Sequence, residues 1–173
     1  APGSVIVLDN NGREDCTVWG DILTEIAHRR GIAGTVINGI NRDTHLCLSL
    51  GYPIFSKDSW MRTGKDRVQV EATGIPVNIG EARVAPGDIL KGDTDGVVVI
   101  PKEHEDEVLK VAEEIEAAVA FDLRDALRGE RRLSPYRGLP LEVRVTCSSR
   151  GGWLCSESLW GPAVLFHPLV DVW

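Results

Sequence analysis

Residues 19–43 have the sequence WGDILTEIAHRRGIAGTVINGINRD, and this stretch is the most informative about the fold class. Apolar residues at helical spacing predict a helix over 21–30, with Asp21 as its N-cap and Gly31 as its stop signal. The apolar run that follows predicts a buried strand over 33–37. Helix and strand alternate here, which is typical of the α/β class.

The remaining elements extend this pattern in both directions. A strand over 5–8 precedes the quoted stretch, and a short helix over 44–50 follows it. From Tyr52 onward a compact β layer is expected, with short strands over 53–55, 67–71, 76–79, 88–90 and 97–100. An amphipathic helix over 103–127 comes next. The tail over 139–173 is rich in tryptophan and has no periodic pattern.

Size and composition indicate the class of protein. The chain has 173 residues, 43% hydrophobic and 26% charged, which predicts one globular domain. Its 26 acidic and 19 basic residues give a formal charge of -7, so nucleic acid is not an expected partner. No apolar run approaches the ~18 residues of a membrane span, and residues 1–4 do not begin a signal peptide. We therefore expect a soluble protein. The four cysteines show neither a disulfide framework nor zinc-site spacing, so the reducing cytoplasm is the expected compartment.

Two acidic residues near the ends of the quoted stretch could share one crevice. Asp21 stands at the mouth of the predicted helix, and the pair Arg42–Asp43 follows the next strand after a gap of twenty residues. A carboxylate beside open water positions suits Mg²⁺, and an arginine fork suits a carboxylate ligand. The free first-turn amides of Ile22 and Leu23 could add an anion site. Such a crevice suits a small oxo-acid.

Each element of this constellation also has a purely structural interpretation. Asp21 alone could be a helix cap, and an Arg–Asp dipeptide is commonly a surface ion pair. The hypothesis therefore depends on the combination. Other candidates are weaker: Asp93–Gly96 resembles the start of a calcium loop, but its twelfth position is His104, so a hairpin turn is expected. His45 lies two residues past Asp43, where its side chain should point elsewhere.

Motifs along most of the chain resemble one known family. The shared features are Trp19–Asp21, Gly34 to Gly39 with Arg42–Asp43, Gly51–Phe55, Ala85–Asp88 and Asp93 to Pro101. They resemble the class II 4-hydroxy-4-methyl-2-oxoglutarate / 4-carboxy-4-hydroxy-2-oxoadipate aldolases, which share their fold with the regulator of ribonuclease activity A. The resemblance covers residues 1–137, in the family's order.

The resemblance implies a fold and an assembly. It implies an α/β, three-layer β/β/α swivelling domain, similar to phosphohistidine domains, over residues 1–138. Relative to the family this domain looks shortened at its N-terminus, and residues 139–173 match nothing in it. The resemblance also implies a homotrimer or hexamer with active sites between subunits.

The resemblance further implies a reaction and its residues. The activity would be divalent-metal-dependent retro-aldol cleavage of a 4-hydroxy-2-oxo acid, releasing pyruvate, with oxaloacetate decarboxylation as a side activity. Asp43 would bind Mg²⁺ or Mn²⁺, Arg42 would bind the substrate and stabilise the enolate, and Asp21 would hold metal-bound waters, one of which removes the C4 hydroxyl proton. The backbone at Gly20, Ile22 and Leu23 would bind the substrate carboxylate. Two alternatives stay open: a non-catalytic regulator of a ribonuclease, whose family members usually lack the acid at position 21, and an inactive truncated homologue.

Overall fold

The computed structural model describes residues 1–127, and the predicted boundary at residue 138 and the tail over 139–173 lie outside them. Residues 1–101 belong to one compact unit and residues 102–127 to a second. The strands of the first unit are β1 Val5–Asp9, β2 Thr17–Trp19, β3 Gly34–Asn38, β4 Ile40–Asn41, β5 Ile54–Phe55, β6 Asp58–Ser59, β7 Val77–Ile79, β8 Ala82–Val84, β9 Ile89–Asp93 and β10 Gly96–Ile100. Its helices are α1 Asp21–Arg29 and α2 Thr44–Leu50. In the second unit a 3₁₀ turn, Lys102–His104, precedes α3 Glu105–Leu127.

Two parallel sheets form the centre of the first unit. One has the strand order β1-β3-β5 and the other the order β2-β4-β6. The chain passes from the first sheet into the second at each step, and β3 continues into β4 through the single residue Gly39. Gly39 has φ 157°, and a Cβ there would meet Asn10 Cβ at 3.1 Å. Only glycine fits this joint without strain.

Antiparallel hairpins complete the β structure. β7 pairs with β8, and β9 pairs with β10 across the turn at Asp93–Gly96. The Asp95 amide donates to Asp93 Oδ1 at 2.9 Å, so this segment is the hairpin turn that the sequence predicts. Phe55 lies directly over Gly92, where a Cβ would come within 2.5 Å of the ring. The close approach joins β9 to the core formed by β1 and β3.

A second core lies between α1, α2 and the first parallel sheet. It contains Trp19, Ala27, Ile37, Cys47 and Tyr52, among other buried apolar residues. The Trp19 and Tyr52 rings are parallel within 6°, with centroids 6.5 Å apart. The Tyr52 hydroxyl forms a 2.7 Å hydrogen bond with Thr35 Oγ1, and burial raises its pKa to about 12. Tyr52 is therefore neutral at any physiological pH.

Several predicted elements differ from those found. Residues 67–71 form no strand, because the amides of Arg67 and Val68 both turn back to the Gly64 carbonyl. Helix α1 begins with Asp21 as its first helical residue and has Gly20 as its N-cap, so the predicted capping role of Asp21 is wrong. The short strands β2, β4, β6 and β8 were not predicted, since two or three residues carry no periodic signal.

The apolar stripe of α1 is largely uncovered in this chain. The relative exposures of Ile22, Leu23 and Ile26 are 67%, 44% and 42%, whereas the side chains that α1 buries are Thr24 and Ala27. Small residues let the helix approach Trp19 and α2 closely.

None of the helices found in residues 1–127 has the length and apolar character needed to cross a membrane.

Candidate functional site

The pairing of β2 with β4 brings the two predicted acidic positions together. These strands are parallel, with Trp19 opposite Asn41, and the Arg42 amide donates to the Trp19 carbonyl at 3.0 Å. Because parallel strands end at the same sheet edge, the residues that follow them lie side by side. Asp21 and the pair Arg42–Asp43 thus meet at this edge, as their spacing predicts.

Asp43 turns its carboxylate toward the mouth of α1. Its Oδ2 accepts a 3.3 Å hydrogen bond from the Asp21 amide and lies 3.4 Å from Arg42 Nε. Asp43 is also the N-cap of α2, but its side chain makes no capping hydrogen bond, and its backbone is left-handed with φ 57° and ψ 34°. A non-glycine residue in this conformation is typical of functional sites. The Asp43 side chain therefore contacts the Asp21 amide and Arg42 and does not cap its own helix.

Gly20 provides the space into which these side chains fit. Its backbone is extended, with φ -160°. A Cβ at this position would stand 3.0 Å from both Arg42 Nε and Asp43 Oδ2. Any larger residue would therefore displace the two side chains, while straining the backbone little. Glycine thus lets both side chains lie in place without a shift of a few tenths of an ångström.

Asp21 and the first turn of α1 form one wall of a crevice next to this contact. Asp21 Oδ1 accepts a 2.8 Å hydrogen bond from the Ile22 amide, so one of the two predicted anion-binding amides has an internal partner. The Leu23 amide also belongs to the first turn, where no earlier helical carbonyl can accept from it. The wall therefore presents a carboxylate beside a helix N-terminus.

A crevice of about 410 Å³ lies beside these groups, and Asp43 is not among its lining residues. Its walls contain five residues on which the prediction depended: Gly20, Asp21, Ile22, Leu23 and Arg42. Sequence reasoning missed a second group of lining residues: Thr63, Gly64, Lys65 and Val68. The Gly-Lys pair at 64–65 is the one sequence signal that could have indicated them, and it lies in a stretch without periodicity.

The loop at 62–68 is fixed to β2. The Thr17 amide and hydroxyl both donate to the Arg62 carbonyl, at 2.9 and 3.0 Å, and Thr17 forms a parallel bridge with Thr63. Gly64 packs so closely that a Cβ would collide with the Thr17 carbonyl. These contacts hold Lys65 at the crevice. Arg42 and Lys65 are thus the two basic residues that line the crevice.

A protein-family model described as RraA-like, "Aldolase/RraA", matches residues 1–99. The chain belongs to the RraA-like family. Both branches of the predicted resemblance, the aldolases and the ribonuclease regulators, are contained in that description. The prediction of the family and of its α/β fold is confirmed.

Individual relatives support this membership. A Legionella pneumophila protein named "Protein DlpA" is 46% identical over 106 residues, which are 61% of this chain and 17% of that protein. A Halalkalibacterium halodurans protein named "Putative 4-hydroxy-4-methyl-2-oxoglutarate aldolase" is 38% identical over 119 residues, 68% of this chain and 55% of that protein. The chain thus spans about half or less of either relative's length.

A solved structure shows the same fold. The crystal structure of an uncharacterized protein from Pseudomonas syringae pv. tomato superposes with a TM-score of 0.68 at 38% identity. The superposition covers 76% of this chain and 68% of that one. The RraA-like fold therefore extends over most of the chain.

The donor set around Asp43 fits a hard divalent cation that keeps most of its water. Within residues 1–127 no cluster of three or more His, Cys, Asp or Glu side chains could enclose a metal. His45 is exposed on α2. Mg²⁺ commonly binds through one or two carboxylates and retains several waters. Asp43 and Asp21, which meet at the mouth of α1, are the carboxylates here that could hold such an ion.

Proposed function

We propose that this chain carries the active site of a divalent-metal-dependent aldolase, which cleaves a 4-hydroxy-2-oxo acid and releases pyruvate. The observation that carries the proposal is the 3.3 Å contact between the Asp21 amide and Asp43 Oδ2, with Arg42 Nε 3.4 Å from the same oxygen. The contact joins Asp43 and Arg42 to the first residue of α1, and Asp21 and Arg42 line the adjoining crevice. A relative that is 38% identical is named "Putative 4-hydroxy-4-methyl-2-oxoglutarate aldolase".

Asp43 would hold the cation, Mg²⁺ or Mn²⁺, since both prefer oxygen ligands. When bound, such an ion supplies Lewis-acid polarisation of the substrate's C2 carbonyl. Asp43 Oδ2 is already oriented by the Asp21 amide, so the carboxylate is held in place before any ligand binds. This preorganisation lowers the cost of binding.

Arg42 would bind the oxo-acid end of the substrate. Its side chain is 39% exposed, so part of the guanidinium faces the crevice while Nε faces Asp43. The remaining N–H groups can donate a bidentate pair to a carboxylate. As the C3–C4 bond breaks, negative charge develops on the C2 oxygen, and a fixed guanidinium stabilises that charge.

Asp21 would accept the proton of the C4 hydroxyl, directly or through one water. The carboxylate stands in the first turn of α1, beside the Leu23 amide, and is half-buried. The backbone at Gly20, Ile22 and Leu23 would contribute to binding the substrate carboxylate, with Ile22 available once Asp21 turns toward the substrate. Oxaloacetate decarboxylation passes through the same pyruvate enolate, so the site should also support that reaction.

We further propose that the chain assembles as a homotrimer or hexamer. The exposed residues Ile22, Leu23 and Ile26 form an apolar stripe next to the crevice, and burial of such a stripe favours association. Light scattering should give a mass of three or six chains, and Ile26→Glu should lower it by adding a charge to the stripe. A monomeric wild type would contradict this assembly.

Replacing Asp21 by asparagine should slow pyruvate release by about two to four orders of magnitude, the usual range for loss of a general base. Asparagine keeps the acceptor oxygen for the Ile22 amide, so the helix mouth should stay intact. The measurement is pyruvate release from 4-hydroxy-4-methyl-2-oxoglutarate, whose C4 hydroxyl carries the proton, coupled to lactate dehydrogenase, with and without Mg²⁺.

Asp95→Asn, in the exposed hairpin turn, is the matched control and should leave the rate unchanged. A fully active Asp21→Asn protein would show that Asp21 has only a structural role. A wild type that releases no pyruvate at any Mg²⁺ concentration would overturn the proposed function and favour the non-catalytic regulator.

A further inference from the structure

Thr24 is a buried hydroxyl behind the crevice. It is the fourth residue of α1, and its relative exposure is 0%. Threonine is not a strong helix former, and a leucine or valine could fill an apolar interior without a polar group. Its hydroxyl therefore calls for an explanation through the partners it contacts.

The hydroxyl uses its full hydrogen-bonding capacity. Trp19 Nε1 donates to Thr24 Oγ1 at 2.8 Å, and the hydroxyl donates to the Gly20 carbonyl at 2.9 Å. Cys47 Sγ lies 3.3 Å from the same oxygen. A hydroxyl has one proton and two lone pairs, so Cys47 acts as the remaining donor. Burial raises the pKa of the Cys47 thiol, which keeps the proton it donates.

The three partners are the end of β2, the N-cap of α1 and a residue of α2. Trp19 is the last residue of β2, and Gly20 is the residue against which Arg42 and Asp43 pack. Cys47 lies one helical turn after Asp43 and is itself 0% exposed. One side chain thus joins the mouth of α1 to the first turn of α2. Asp21 is the first residue of α1, and Asp43 is the N-cap of α2.

We infer that Thr24 is a positioning residue, which holds the mouth of α1 against the start of α2 and so maintains the contact between the Asp21 amide and the Asp43 carboxylate. It touches no substrate and acts through Gly20 and Cys47. The kinetic consequence of this inference rests on the proposed function. The predicted effect on the contact between the Asp21 amide and Asp43 is independent of that function.

Thr24→Val tests the kinetic consequence, because valine keeps the shape and removes the hydroxyl. Thr35→Val is the matched control: Thr35 is also 0% exposed, and its hydroxyl bonds to Tyr52 instead of to either helix. Thr24→Val should lower kcat for oxaloacetate at saturating Mg²⁺ by at least about tenfold, a small misplacement of catalytic groups being costly. Thr24→Ser and Thr35→Val should stay within about twofold of wild type.

Hydrogen exchange of the Asp21 amide tests the contact without any activity. Measured by NMR relative to the Ala27 amide of the same helix, it should become at least about tenfold faster in Thr24→Val and stay unchanged in Thr24→Ser and Thr35→Val. Unchanged Asp21 exchange in Thr24→Val, or equal effects of Thr24→Val and Thr35→Val, would overturn the inference. If the wild type releases no pyruvate but exchange changes as expected, the proposed function fails and the positioning role stands.

Discussion

Replacing Asp43 by asparagine should lower metal-dependent pyruvate release by at least about three orders of magnitude. The variant loses the anionic oxygen for the cation, and a metal ion's stabilisation of transition-state charge is worth several kcal/mol, where each ~1.4 kcal/mol is tenfold in rate. Asparagine tolerates the left-handed backbone of position 43 and can still accept from the Asp21 amide. The fold should therefore remain, which separates a catalytic loss from a structural one.

Three measurements complete this test. Thermal unfolding should place Asp43→Asn within about 1 kcal/mol of wild type, since Asp43 makes no side-chain capping bond that could be lost and asparagine keeps an acceptor for the Asp21 amide. Titration with Mn²⁺ should show weakened binding, whereas Asp95→Asn should bind as the wild type does. Retention of more than about a tenth of the wild-type rate in saturating Mg²⁺ would exclude Asp43 as the metal ligand, because a tenfold loss is only ~1.4 kcal/mol.

Arg42→Lys should reduce kcat by about two to three orders of magnitude although the charge is kept, a range typical of removing one preorganised donor to a developing oxyanion. The guanidinium Nε lies 3.4 Å from Asp43 Oδ2, and in the proposed mechanism its other N–H groups donate to the substrate. A lysine ammonium is a point charge and cannot satisfy both. The loss should appear in kcat as well as KM if Arg42 stabilises the transition state.

Arg29→Lys is the matched control for this substitution. Arg29 pairs with Glu25 on the solvent side of α1, with its side chain 76% exposed, and exposed pairs of this kind contribute little. Its kcat and KM should equal those of wild type. An Arg42→Lys protein with normal kcat and raised KM would limit Arg42 to ground-state binding of the substrate.

The short helix α2 shows where local sequence was sufficient. The prediction of Thr44–Leu50 agrees with the structure in both bounds. Gly51 ends the helix in a left-handed conformation with φ 61°, and glycine adopts this conformation without a steric penalty. Signals of this kind depend on neighbouring residues only, so they can be recognised in a single sequence.

Helix α1 shows where local sequence was insufficient. Its apolar period is real, but Ile22, Leu23 and Ile26 are exposed, and Thr24 and Ala27 face the core. Periodicity indicates that a stripe is apolar and does not indicate which surface will cover it. The buried side was chosen by close packing against Trp19 and Cys47, to which Thr24 also offers hydrogen bonds.

The family and the α/β class could be predicted from the sequence, as could the residue types of the candidate site, because Gly20, Asp21, Arg42 and Asp43 are chemically distinctive at this spacing. Their distances follow from tertiary contacts. The pairing of Trp19 with Asn41 brings together groups that twenty residues separate, and the contacts of Thr17 add Lys65 from a loop with no sequence pattern. Strand register and loop packing depend on contacts between distant residues, and no local pattern encodes them.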